Sequence, residues 1–162
     1  TENMGIKTPQ WTLLFRQTGT YDWSVNPATN SLNESDTSNQ NYSILNRLYG
    51  TTNYKNGDFY QFKYIDTTNN RTIEWKQTSN FVETTDSVTG YELISSTNNP
   101  IPNSFAGLNI STNSSTYYDG NPNSINWWYP IARRGTAPST WSNQFPAFES
   151  PYPQQIELWV YS

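Results

Sequence analysis

Hydrophobic and polar positions alternate along this chain in short runs, and the strictest alternation lies at its end. In residues 154–161, Ile156, Leu158 and Val160 occupy one parity while Glu157, Trp159 and Tyr161 occupy the other. A period of two over that length predicts a strand with one buried face. The same pattern recurs in residues 58–66, where Tyr60, Phe62 and Tyr64 oppose Phe59, Gln61, Lys63 and Ile65. Residues 67–70 are turn formers, and residues 71–77 return with Ile73 and Trp75 on one side, so the two runs predict a hairpin. Residues 11–15 give a first strand, followed by a turn through Thr18, Gly19 and Thr20. Further strands are expected over residues 88–95, 105–111 and 125–129. The only helical pattern is in residues 42–50, where Ser43 can cap, Ile44, Leu45 and Leu48 share a face, and Gly50 suits the stop. Residues 26–41 read as a long polar loop, of the kind that is functional or mobile.

At least seven short strands separated by Asn, Gly, Pro, Ser and Thr point to a mostly β fold. The expectation is a β-sandwich or related twisted antiparallel sheet with one short helix, forming a single domain over residues 1–162. That length suits one domain, and it can bury a core without disulfides or metal. No internal repeat is present.

Composition changes this picture in one respect. Aliphatic side chains are few, whereas 7 Trp, 12 Tyr and 7 Phe make 16% of the chain aromatic, so rings must supply much of the core. Asn, Thr and Ser number 21, 21 and 18, and charged residues are only 14%, leaving a surface of amides and hydroxyls. Such surfaces are common in secreted sugar binders and in bacterial and viral appendages. The recurring aromatics and small net charge are the reverse of a disordered composition. A net charge of −4 with nine Lys plus Arg leaves no basic stripe for nucleic acid. The longest apolar run, residues 127–132, is broken by Pro130 and is far too short to insert in a membrane. No basic-then-apolar leader opens at Thr1, which suggests a mature chain or an excised domain.

Candidate chemistry is narrow. The chain has no Cys and no His, which removes disulfides, thiolate sites, His metal sites and Ser-His-Asp or Cys-His catalysis. An Asp/Glu glycosidase survives this filter, with Glu74, Glu92 and Glu157 inside expected strands. Residues 117–132 are the richest stretch. Asp119, Asn121 and Asn123 stand at the i, i+2, i+4 spacing that opens many calcium loops, although Pro130 occupies the place of the closing Glu. The same residues also form a turn for backbone reasons alone. Trp127, Trp128 and Tyr129 alternate, so at least one ring faces outward, with Arg133, Arg134 and Trp141 close behind. Either these rings fill the core or some offer flat platforms to sugar. Five sequons, at Asn33, Asn41, Asn70, Asn109 and Asn113, are about as many as the composition yields by chance.

Five blocks carry a resemblance: Trp11-Thr-Leu-Leu-Phe-Arg-Gln-Thr18, Trp75-Lys-Gln-Thr-Ser-Asn80, Val88-Thr-Gly-Tyr-Glu92, the Asp119-Gly to Trp127-Trp128 segment, and Gln155-Ile-Glu-Leu-Trp-Val-Tyr161. Together they resemble a largely uncharacterised β module of marine invertebrate extracellular proteins and large algal viruses. The opening strand, the paired Trp and the closing strand are also faintly similar to fibrinogen-like and intelectin lectin domains, without their cysteines. The resemblance implies an extracellular or virion-surface setting and glycan recognition, and it supplies no catalytic residue.

The leading expectation is therefore a carbohydrate-binding or receptor-recognition domain with a glycan or glycoprotein partner. In it Trp128, Tyr129 and Trp141 stack on sugar rings, and Asn121, Asn123 and Arg133 bond hydroxyls. No cofactor is expected beyond a calcium ion, for which Asp119 is the candidate ligand. The alternative is a structural capsid, fibre or matrix protein, packed as a homo-oligomer or larger surface assembly. A glycosidase ranks third.

Overall fold

The computed structural model describes residues 8–18, 21–83, 87–98, 105–111, 116–120, 130–134 and 153–162. They form two antiparallel sheets, the sandwich-like arrangement that the alternation implied. The larger sheet takes six strands: β1 (Trp11–Thr18), β2 (Tyr42–Ser43), β3 (Tyr60–Asp66), β4 (Arg71–Gln77), β5 (Glu92–Thr97) and β9 (Gln155–Tyr161). Their order is β2-β1-β9-β3-β4-β5, so the last strand of the chain lies at the centre, between β1 and β3. The smaller sheet is β6 (Asn109–Ile110), β7 (Thr116–Asp119) and β8 (Ile131–Arg133).

The core lies between the sheets and is largely aromatic. Phe62, Tyr64, Ile73, Trp75, Ile156, Leu158 and Val160 turn inward from the large sheet and are fully buried. Phe105 meets Trp75 edge-on at 4.6 Å, and Phe81 bridges Phe62 (5.4 Å) and Tyr118 of β7 (5.1 Å). Tilted and edge-on rings bring favourable quadrupole contacts as well as buried area, which compensates for the scarce aliphatics.

Two buried glutamines stitch the sheets together. Gln17 of β1 accepts the Ala132 N–H on Oε1 at 2.9 Å. Gln77 of β4 accepts the Leu108 N–H at 3.0 Å and donates to the Leu108 carbonyl at 3.0 Å. An amide can satisfy both polar groups of one facing backbone unit, which lets a strand end without leaving orphaned groups in the core.

Several expectations need correction. Residues 42–50 are not an α-helix. Tyr42 and Ser43 pair with β1, and only Leu45–Leu48 forms a helical turn, of 3-10 type. The reason is competition for backbone groups: Ser43 N–H bonds Leu32 O, and Ile44 N–H bonds Leu14 O. Ile44, Leu45 and Leu48 are nonetheless buried, as their spacing implied. β5 starts at Glu92, because Gly90 has φ +65° just before it. β6 is only two residues long, since Gly107 at φ +89° ends extended structure and Leu108 spends its backbone groups on Gln77. The short strands β7 and β8 were not anticipated, and residues 125–129 lie outside the described residues. The polar loop after residue 26 is tied down at several points. The Arg16 guanidinium donates to Thr37 O and Asn39 O, and Asn33 Nδ2 donates to Asn41 O.

Candidate functional site

The outward face of the large sheet follows directly from the strand register. One row runs Trp11, Tyr161, Gln61, Lys76 and Glu92 across β1, β9, β3, β4 and β5. The next runs Leu13, Trp159, Lys63, Glu74 and Ser95, and a third runs Arg16, Glu157, Ile65, Thr72 and Thr97. A bulge between Leu13 and Phe15 keeps β1 in phase, with Leu14 as the extra residue. Without it, Arg16 would face the core.

The three rings Trp11, Trp159 and Tyr161 gather at one end of this face, all partly exposed. The Trp11 and Tyr161 rings stand 5.2 Å apart at 56°. Lys63 lays its ammonium 4.0 Å from the Trp11 centroid, a cation–π contact that fixes the indole. Trp159 donates its indole N–H to Glu157 Oε1 at 3.3 Å. Beside the rings runs an amide–carboxylate chain: Asn56 Nδ2 donates to Gln61 Oε1 at 3.2 Å, and Gln61 Nε2 donates to Glu74 Oε1 at 2.7 Å. Arg16 holds Glu157 through two nitrogens at 2.5 and 2.6 Å. Lys76 pairs with Glu92 at 3.0 Å and sits over the Phe59 ring. The result is a rigid, strand-borne surface with flat apolar rings next to fixed donors and acceptors.

All three strand carboxylates share this face, with Glu92 held by Lys76 in the first row; Glu74 and Glu157 lie two strands apart and in neighbouring rows. Strand spacing and rise put their Cα atoms roughly 12 Å apart. Arg16, on β1, draws Glu157 away from Glu74 rather than toward it.

The residues singled out from the sequence fare differently. Asn121, Asn123, Trp128, Tyr129 and Trp141 lie outside the described residues. Arg133 ends β8, and Asp119 ends β7, mostly buried and cross-strand from Asn109. Among the described residues no group of three or more acidic side chains is poised to hold a metal. Next to this region, Arg134 stacks its guanidinium 3.9 Å from the Tyr117 ring. The outward rings of β9 were visible in the sequence as the parity opposite Ile156, Leu158 and Val160. Trp11 joins them only through the pairing of the first strand with the last, which alternation alone does not reveal.

Comparison with protein-family models, curated proteins and solved structures found no match to this chain. Among the described residues no helix is long and apolar enough to cross a membrane.

Proposed function

We propose that the protein binds carbohydrate through the outward face of its large sheet and performs no chemistry on it. The observation that carries this reading is the grouping of Trp11, Trp159 and Tyr161 beside the Gln61–Glu74 and Arg16–Glu157 pairs. A partly exposed ring offers its π-face to the C–H surface of a pyranose, and the adjoining amides and charges bond its hydroxyls. Side chains already fixed by strand pairing and by each other lose little entropy on binding. An extracellular or virion-surface setting and a glycan or glycoprotein partner go with this reading.

A glycan array on the purified chain, with and without Ca²⁺, tests it. Trp159→Ala and Trp11→Ala should each lower affinity for a bound glycan by about tenfold or more, with the β circular-dichroism signal unchanged. Binding that survives these changes but is lost in Trp128→Ala or Trp141→Ala would move the site to residues 117–141. Loss in chelator would make Asp119 a calcium ligand. Release of sugar from a polysaccharide, abolished by Glu74→Gln or Glu157→Gln, would replace binding with hydrolysis.

A second reading, a structural surface protein whose partners are further copies of this chain, is favoured by β5. Its Leu93 and Ile94 are exposed on an edge strand. A blank array together with a defined oligomer would support it.

A further inference from the structure

On the inner side of β1, away from the proposed sheet-face site, the chain folds a separate cleft of about 200 Å³. It is lined by Tyr21, Trp23, Ser24, Val25, Asn30, Ser31 and Leu32. The floor is rigid. Phe15 of β1 is fully buried, Trp23 stacks on it at 4.7 Å and 28°, and Tyr21 meets Trp23 edge-on at 5.0 Å.

The opposite wall is held in place as well. Asn26 caps its own turn, accepting the Ala28 N–H on its side chain and the Thr29 and Asn30 N–H groups on its carbonyl. Asn30 Nδ2 donates to Asn26 O at 3.1 Å and to Thr29 Oγ1 at 2.8 Å. Leu32 exchanges two backbone bonds with Ser43 of β2, at 2.9 and 3.0 Å. Both walls therefore stand ready before any ligand arrives, which removes the ordering cost of closing a loop on it.

One group in this cleft is left wanting. Trp23 is 4% exposed, and its indole N–H has no acceptor among the described residues. A buried donor without a partner is unfavourable in a folded protein, and an oxygen supplied from outside would satisfy it. The remaining lining is neutral: two serine hydroxyls, one amide, a phenol and the apolar Val25 and Leu32. Among the described residues no charged side chain lines it, so none of them selects an ion. The size is below that of a pocket for a drug-sized ligand, and suits a single small ring.

We propose that this cleft binds one neutral, hydroxylated six-membered ring, a pyranose unit, with one of its oxygens accepting the Trp23 indole N–H. The ring's C–H face lies against Tyr21 and the exposed Val25, above the buried Trp23, while Ser24, Asn30 and Ser31 bond its hydroxyls. This site stands whether or not the outer sheet face binds glycan.

The test is a titration of the isotope-labelled full chain with methyl glucoside, methyl galactoside and methyl mannoside, following the indole N–H resonances by NMR. The Trp23 resonance is identified by its loss in Trp23→Phe or, should that variant not fold, by through-space contacts to the Phe15 ring. One pyranoside should shift this resonance saturably while glycerol does not. Asn30→Ala and Ser31→Ala should each weaken the response by about fivefold to tenfold, and Trp159→Ala should leave it unchanged. A Trp23 resonance that stays still with all three sugars, or moves equally with glycerol, overturns the proposal. Shifts confined to the Trp11 and Trp159 resonances would overturn it too, while supporting the sheet face.

Discussion

The Gln77 amide bonds at both ends. Its oxygen accepts from the Trp75 indole at 2.8 Å and from Leu108 N–H at 3.0 Å, and its nitrogen donates to Ser79 O and Leu108 O. Truncation to Ala would strand three buried backbone or indole groups at once. At roughly 1 to 3 kcal/mol per unsatisfied group, partly relieved by relaxation, Gln77→Ala should cost about 3 kcal/mol in urea unfolding. Gly107 belongs to the same junction. A Cβ there would lie 2.9 Å from Gln77 Oε1 and 2.8 Å from Val88 Cγ1, at φ +89°. Gly107→Ala is therefore expected to destabilise by about 2 kcal/mol or more, from strain and overpacking together.

Tyr118 presents the opposite case. Its hydroxyl is buried and has no partner among the described residues, and burial pushes its ionisation far above the ordinary tyrosine value near 10. Burial raises Tyr42 and Tyr60 in the same direction. A folded-state pKa above the unfolded one favours the neutral phenol, so this contribution is complete below about pH 10 and is lost as pH rises beyond it. Stability should accordingly fall in alkali. Tyr118→Phe should blunt that fall and, by removing an unsatisfied oxygen, gain about 1 kcal/mol at neutral pH. Urea unfolding at pH 7 and pH 10.5 measures both; a neutral-pH loss would mean the hydroxyl finds a partner.

At the scale of elements, the β3–β4 hairpin was the most legible part of the chain. Its alternation set the faces, and residues 67–70 form the turn with Asn70 at φ 52°. What the pattern could not show is that two inward positions at the turn are charged. Asp66 and Arg71 are both buried and meet at 2.7 and 2.8 Å. Asp66 also accepts the Thr68 and Asn69 N–H groups, so one carboxylate shapes the turn and neutralises the arginine. Removing it takes away the carboxylate that the buried guanidinium bonds twice. Asp66→Ala should cost about 3–5 kcal/mol, and adding Arg71→Met should recover part of that loss.

The less legible elements share a cause. β2, β6, β7 and β8 have two to four residues each, too few for a period to register, and β2 takes its partner from a distant segment. The helix expected at residues 42–50 failed because its backbone groups were claimed by β1 and Leu32, a tertiary fact. For the sheet-face site, Trp159 and Tyr161 were readable by parity on β9. Trp11 needed the β1–β9 pairing, and the Trp23 cleft needed the fold of a loop that had read only as polar.

Across the whole molecule, the two edges of the large sheet are treated differently. At one, β2 is two buried residues long, and Leu32, in the loop that precedes it, bridges to Ser43. At the other, β5 is open: Leu93 is 37% exposed and Ile94 45%. Beyond Glu92, which pairs with Lys76, the strand carries no charge to repel another edge. Its one protection is the register shift opposite Glu74 and Trp75, which leaves Ile94 as the residue without a cross-strand partner. That position makes the edge testable without disturbing the fold. Ile94→Lys removes no ladder pair and little buried area, so unfolding stability should stay within about 0.5 kcal/mol of the parent. If β5 is the route by which copies associate, the same change should shift sedimentation toward the monomer at concentrations where the parent self-associates. The Trp159 face should continue to bind ligand, because it lies on the other side of β3 and β4 from this edge. Association undiminished by Ile94→Lys would place the contact elsewhere, and loss of ligand binding in this variant would show that edge and face are not independent.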